Sequence, residues 1–343
     1  MPVVKSDLPD AAKVHAHEKK LKELEYAEIP ESFYQFELIQ DIDSDTEIDI
    51  KNHLQTIRKP HPLLQHLVHN ISDPKKLYDV IKTDPELVAK IINVANSPLF
   101  GLEKPITNVN HAVIYLGVMQ VKNIATHFAL QESVAFGDKS QQLAYEKIWS
   151  AGFLASSIAQ LLAQEMNLDN SAELSTRCQL SYLGDISILF SEPQTAELYL
   201  GKVSFFDRID RIQKLIGTNP SVLAKLLAEQ WKLPQEISAN IYLGLLPFNN
   251  SLAKLGLPER QVKEILLCYI SCRLADIISF DHKTDFINSQ DLNFEHTQRL
   301  EFFHIAEQIE NVQFEEINKT FASPKVKNKI TELIAGIKED KSI

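Results

Sequence analysis

The chain has 343 residues, 44% of them hydrophobic and 24% charged, with only 10 glycines. That is length enough for a large buried core, and a composition that favours helices over turn-rich β architecture. The formal net charge of −11, with no dense Lys/Arg cluster interleaved with aromatics, argues against direct nucleic-acid binding.

The first twenty residues contain no apolar core of the kind a secretory signal needs, and no window offers a clean apolar run of membrane-spanning length. Ile148–Met166 comes nearest, but Ser150, Ser156, Ser157, Gln160 and Gln164 interrupt it, and Arg273 and Asp276 interrupt Glu264–Phe280. The expectation is a soluble, cytoplasmic protein that makes no membrane contact. Three cysteines, Cys178, Cys268 and Cys272, are too few and odd in number for a disulfide framework, which suits a reducing compartment. Cys268 and Cys272 stand four apart on one helix face without a neighbouring ligand in sequence, and they read as small buried hydrophobes.

Residues 1–50 are charged and thinly hydrophobic and read as an N-terminal segment or linker. Within it, Lys13–Tyr26 fits a short charged helix and Asp41–Asp49 a solvated connector. A calcium loop at that acidic run would need Gly at Thr46 and Glu at Asn52, so it is excluded. From His61 onward helical periodicity dominates. Leu63, Leu64, Leu67, Val68 and Ile71 form one apolar stripe, Leu77, Val80 and Ile81 a second, and Leu87, Val88, Ile91, Ile92 and Ala95 a third. Each ends at an Asp-Pro or Ser-Pro boundary whose polar residue can cap the next helix, while Pro fits its first turn.

Val109–Leu116 runs to Gly117, a plausible C-cap, and Val121–Phe128 follows. A long segment then carries Trp149, Phe153, Ile158 and Leu162, and another spans Ala172–Phe190. Phe205–Ile216 and Pro220–Trp231 complete the central region, which Pro247–Asn250 bounds. Beyond it lie Pro258–Ile278, Leu300–Ile309 and Val326–Ile337. Neither strand alternation nor a repeat is evident. The expected fold is all-α, a compact orthogonal multi-helix bundle over 51–250 with additional C-terminal helices in an extension over 251–343.

The segment from Asp84-Pro85 through Asn96-Ser97 to Phe100-Gly101 resembles the signature of HDOD domains, the signalling relatives of HD phosphohydrolases. In order after it come Pro105-Ile106-Thr107, the turn Leu116-Gly117, a family Trp at Trp149 and the helix end Trp231-Lys232-Leu233-Pro234. The resemblance covers roughly residues 55–250 and implies an HD-like fold. It makes Asp84, Pro85, Asn96, Ser97, Gly101, Gly117, Trp149, Trp231 and Pro234 structural.

HD enzymes bind a divalent metal through histidines and an adjacent His-Asp pair, and the metal activates water. At the matching stretch, Tyr182-Leu183-Gly184-Asp185-Ile186-Ser187, Gly184 stands in place of the His and leaves only Asp185 as a vestige. No histidine occurs between His127 and His282, the region in which such a centre would be assembled. His66 and His69, one turn apart, fall towards the polar side of their helix and read as solvated, and His127 reads as a hydrogen-bonded core histidine. No catalytic residue, metal or cofactor is therefore expected. The resemblance implies non-catalytic bacterial signal transduction through contacts with protein partners. A nucleotide or metabolite sensor using the vestigial cleft, or residual metal-dependent hydrolysis, are the alternatives.

Overall fold

The computed structural model describes residues 29–55, 57, 63–69, 73–96, 105–131, 137–248, 252–280 and 299–339. Among the described residues all regular structure is helical, with no strand, as the composition and periodicity predict. Near the N-terminus lie α1 (Glu31–Tyr34) and α2 (Ser44–Leu54). The expected connector at the acidic run is thus in part a helix. Asp43 accepts from the backbone N–H groups of Asp45 at 3.0 Å and Thr46 at 2.9 Å, and Glu47 pairs with Lys51 one turn on. These local bonds offset the low apolarity that argued for a loop. The segment expected as a helix at Lys13–Tyr26 lies outside the described residues.

The first half of the bundle is built from α3 (Leu63–His69), α4 (Pro74–Ile81), α5 (Pro85–Ala95), α6 (Val109–Leu116) and α7 (Val118–Gln131). The expected boundaries hold because their chemistry is local. Asp73 accepts from Lys75 N at 2.9 Å, and Asp84 accepts from Glu86 N at 2.9 Å and Leu87 N at 3.0 Å, each followed by Pro in the first turn. Asn96 closes α5 and ties it to the next segment, its Nδ2 donating to Ile92 O at 2.9 Å and Ile106 O at 2.8 Å. Gly117 separates α6 from α7 at a φ of +84°, a conformation that favours glycine. Ser97 and Gly101 lie outside the described residues.

At the centre runs α8 (Lys139–Glu165), 27 residues and about 40 Å long. It is buried on nearly every face from Ala144 to Ala163, small polar Ser156 and Ser157 included, which is why its apolar residues are not confined to one stripe. Trp149 and Phe153 pack with the first half, in a core with Leu64, Ile81, Ile91 and Val121. Ile148, Leu154, Ile158 and Leu162 face a second core.

That second core is enclosed by α9 (Ser171–Leu180), α10 (Leu183–Ser191), α11 (Glu197–Leu200), α12 (Phe205–Ile216) and α15 (Glu259–Ser279). Two further helices, α13 (Pro220–Gln230) and α14 (Gln235–Tyr242), bridge towards the first core, and Trp231 and Leu233 are buried there. Pro234 sits at the N-cap of α14. The last helices are α16 (Ile305–Asn311), α17 (Glu316–Ala322) and α18 (Pro324–Glu339), whose Ile309, Ile317, Phe321 and Val326 enter the second core. Among the described residues no helix is long and apolar enough to cross a membrane.

The Ala172–Phe190 stretch, expected as one segment, is two helices broken at Ser181-Tyr182. Apolar periodicity continues across the break because both helices are buried; what separates them is the site described next.

Candidate functional site

The break between α9 and α10 places Gly184 in the first turn of α10, against the start of α13. A Cβ at Gly184 would fall on the Pro220 carbonyl, 2.6 Å from its carbon and 2.8 Å from Pro220 Cα. These are backbone atoms and cannot turn aside, so the position admits no side chain without displacing α13. The glycine is what lets α10 and α13 touch.

Asp185 follows on the wall of a cavity shared by α9, α10, α12, α13, α14 and α15. Tyr199 of α11 donates its hydroxyl to Asp185 Oδ1 at 2.9 Å. The carboxyl is enclosed by protein, with part of its surface reaching the cavity, and burial pushes it up to about 6 against the opposing pull of Arg208.

Deeper in, Asp276 of α15 gathers three partners. Arg208 Nη2 of α12 donates to Asp276 Oδ2 at 2.6 Å, and Arg273 Nη2 approaches the same oxygen at 3.2 Å. Tyr182 donates its hydroxyl to Asp276 Oδ1 at 2.8 Å. All three charged residues are buried. The guanidiniums also lie on aromatic faces, Arg208 at 4.5 Å from the Phe280 ring centroid and Arg273 at 3.8 Å from that of Phe205. On the cavity's other side Arg177 Nη2 reaches Glu173 at 3.1 Å and Glu264 at 3.5 Å.

This donor set does not fit a divalent metal. A metal needs neutral imidazole or carboxylate ligands converging on it, whereas two guanidiniums occupy the space beside Asp185 and Asp276. Among the described residues no group of three or more His, Cys, Asp or Glu is arranged to hold a metal ion.

Gly184 and Asp185 thus come together with Arg208, Arg273 and Asp276, which the sequence did not connect. Asp84, Asn96, Gly117 and Pro234 act at helix ends elsewhere, and Trp231 lies in the first core. Trp149 packs on His127 with ring centroids 4.2 Å apart. His127 is a core residue as expected, and burial holds its imidazole well below the usual histidine range. Its Nδ1, however, has no hydrogen-bond partner within the protein. The side chains of His66 and His69 lie outside the described residues.

The three cysteines form a group that sequence spacing only half revealed. Cys178 of α9 lies against Cys268 and Cys272 of α15: its thiol approaches Cys268 O at 3.8 Å, and that of Cys272 approaches Cys178 O at 3.9 Å. All are buried and free, packed as small apolar side chains between the two helices.

The HDOD domain family model matches residues 60–243. No curated protein matches the sequence. Among solved structures, the chain is similar to one named "Putative phosphohydrolase" from Shewanella amazonensis SB2B. The identity is 17%, the TM-score 0.54, and the match covers 84% of this chain and 97% of that one. It is also similar to a "Putative signal transduction protein" from Marinobacter aquaeolei VT8. There the identity is 17% and the TM-score 0.50, covering 94% of this chain and 66% of that one. An HDOD domain protein with unknown function from Geobacter sulfurreducens matches at 15% identity and a TM-score of 0.47, covering 94% of this chain and 99% of that one. At these identities the Shewanella and Marinobacter structures speak for the fold alone. The family match, over more than half the chain, shows that this protein belongs to the HDOD domain family.

Proposed function

We propose that the protein is a non-catalytic bacterial signal-transduction protein, acting in the cytoplasm through contacts between its HDOD domain and protein partners. One observation carries the non-catalytic part. The position where an HD enzyme would carry its metal-binding histidine is Gly184, closed to any side chain by the Pro220 carbonyl. Metal-assisted hydrolysis needs a bound, activated water, and the charges beside Asp185 are guanidiniums rather than ligands. The signalling part is supported by family membership and by the name of the Marinobacter relative. On this reading residues 51–250 are the signalling domain and residues 251–343 a helical extension packed on it.

The test is to incubate the full chain with Mn²⁺ and either cyclic dinucleotides or nucleoside phosphates. No turnover is expected, and turnover that Asp185→Asn abolishes would overturn the proposal. A pull-down from the native bacterium addresses the partner. Recovery of a sensor kinase or a cyclic-nucleotide enzyme is expected; an interactome of nucleic acid alone would count against it.

A further inference from the structure

Cys178, Cys268 and Cys272 are the only cysteines of the chain, and the fold brings all three together. The Cys178 thiol is in contact with those of both Cys268 and Cys272. Each thiol also reaches a carbonyl oxygen of the facing helix, at 3.8 or 3.9 Å, an approach close enough for a disulfide with small shifts of the helices. Packing α9 against α15 calls for small side chains, but not for sulfur in contact with sulfur. The three differ in access. Cys178 is sealed at 0% exposure, whereas Cys268 and Cys272 each keep 5% and line the cavity at the degenerate site. That cavity has a volume of about 30 Å³, room for two water-sized atoms. Half-buried Ser181, Asn240 and Gly244 line it towards the surface.

We propose that this cluster is an oxidation site, at which hydrogen peroxide entering by the cavity converts Cys268 and Cys178 into a disulfide. The idea goes beyond the signalling reading and is independent of it, because the bridge can be measured whether or not a partner is found. Hydrogen peroxide has two heavy atoms and no charge, so it fits the space and enters without the cost of burying an ion. The two thiols differ as attacking and resolving groups should. Burial holds the Cys178 thiol well above the usual range. Cys268 is held below it, because Cys178 can donate to its sulfur on ionisation and Arg177 stands nearby, against the opposing effects of burial, Glu264 and Glu173.

The Cys268 thiolate attacks one peroxide oxygen. An S–O bond forms, the O–O bond breaks, and the leaving hydroxide takes up a proton as water. Cys268 is thereby oxidised by two electrons to the sulfenic acid. The Cys178 sulfur then attacks that of Cys268, forming S–S and breaking S–O, and the departing hydroxide takes the Cys178 proton as a second water. One peroxide and two thiols give one disulfide and two waters. Cys178 resolves rather than Cys272 because it faces Cys268 from another helix. The bridge ties α9 to α15 across 90 positions of sequence.

The experiment exposes the full chain to hydrogen peroxide at neutral pH, quenches in acid, unfolds, alkylates the remaining thiols and maps peptides by mass. Two of the three thiols should be lost, a Cys178–Cys268 peptide pair should appear, and dithiothreitol should reverse both. Cys272→Ala should still form the bridge, whereas Cys268→Ala and Cys178→Ala should not. The three variants remove the same volume, so Cys272→Ala controls for loosened packing. Gly244→Leu covers the case in which the alanine variants do not fold. It keeps every thiol and adds bulk beside Ser181 at the cavity, because a Cβ at Gly244 meets only Ser181 Oγ, at 3.9 Å; bridge formation should slow by at least tenfold. Three results would overturn the proposal. These are thiols that stay reduced in the folded chain under peroxide that oxidises the urea-unfolded chain, a bridge that lacks Cys268 or Cys178, or undiminished bridge formation in Gly244→Leu.

Discussion

Two regions of this molecule use carboxylates at helix ends and in the core in opposite ways. In the motif region, Asp84 bonds backbone groups two and three residues away at the surface end of α5, and Asn96 reaches no further than Ile106. In the degenerate site, Asp276 bonds Arg208 and Tyr182, 68 and 94 residues distant in sequence, and all three are buried. A cap in contact with solvent can be replaced by water, so its loss is mild. A buried counter-ion has no substitute, and its loss leaves charges stranded. The difference predicts a graded response to mutation.

The largest effect is expected from Asp276→Ala. It strips the counter-ion from Arg208 and Arg273 and the acceptor from the Tyr182 hydroxyl. A loss of about 3–5 kcal/mol is expected in urea unfolding. A loss below about 1 kcal/mol would mean that water reaches the guanidiniums, and the contrast between the two regions would collapse.

Gly184→Ala is expected to come next. The added Cβ meets the Pro220 backbone, so α13 must move, at a cost of about 1–3 kcal/mol or somewhat more. Restoring the family histidine with Gly184→His should be worse still and should not confer Mn²⁺ binding, since the Pro220 backbone fills the space and the neighbouring guanidiniums supply no further ligand. A stable Gly184→His variant that retained stoichiometric Mn²⁺ would show that the site lost only its ligand.

These two predictions mark where the sequence ran out. Asp-Pro starts, Gly117 and the apolar stripes were legible because capping and periodicity act within one or two turns. Gly184 was legible as a departure from a family pattern, but its close approach to Pro220 was not, since nothing local encodes a contact 36 residues away. Arg273 and Asp276 were noticed only as charges interrupting an apolar run, which is how a buried ion cluster looks in one dimension. Arg208 lay in an amphipathic helix with other charges and carried no signal. The acidic run that opens α2 reads as a connector for the converse reason: its apolar content is low, and the cap at Asp43 and the Glu47–Lys51 pair supply what packing does not.

Asp185 gives the site a pH signature. Its folded-state pKa, about 6, lies above the roughly 3.9 of an unfolded aspartate. The folded chain therefore holds the proton more tightly between those values, and stability falls as pH rises through them. Asp185→Asn removes that slope. Relative to the variant, the wild type should lose about 1–3 kcal/mol between about pH 4 and about pH 7, the lower end reflecting its partial contact with the cavity. Exposed Asp43, Glu47 and Asp79 are shifted the other way by their hydrogen bonds, but they cancel in the difference. Parallel curves for wild type and variant would place Asp185 in contact with bulk water.

The smallest effect belongs to the motif region. Asp84→Ala deletes both cap bonds at the start of α5 while leaving Pro85 to preset the first turn, for a loss of about 1 kcal/mol. Asp84→Asn, which keeps an acceptor oxygen, should recover most of it. Because the bonds are local, hydrogen exchange should accelerate in the first turn of α5 and not in α10 or α15, whereas Asp276→Ala should loosen α10, α12 and α15 together. Equal protection loss across both regions in Asp84→Ala would show that the two cores, joined through α8, unfold as one unit and that the locality of a bond does not set the reach of its loss.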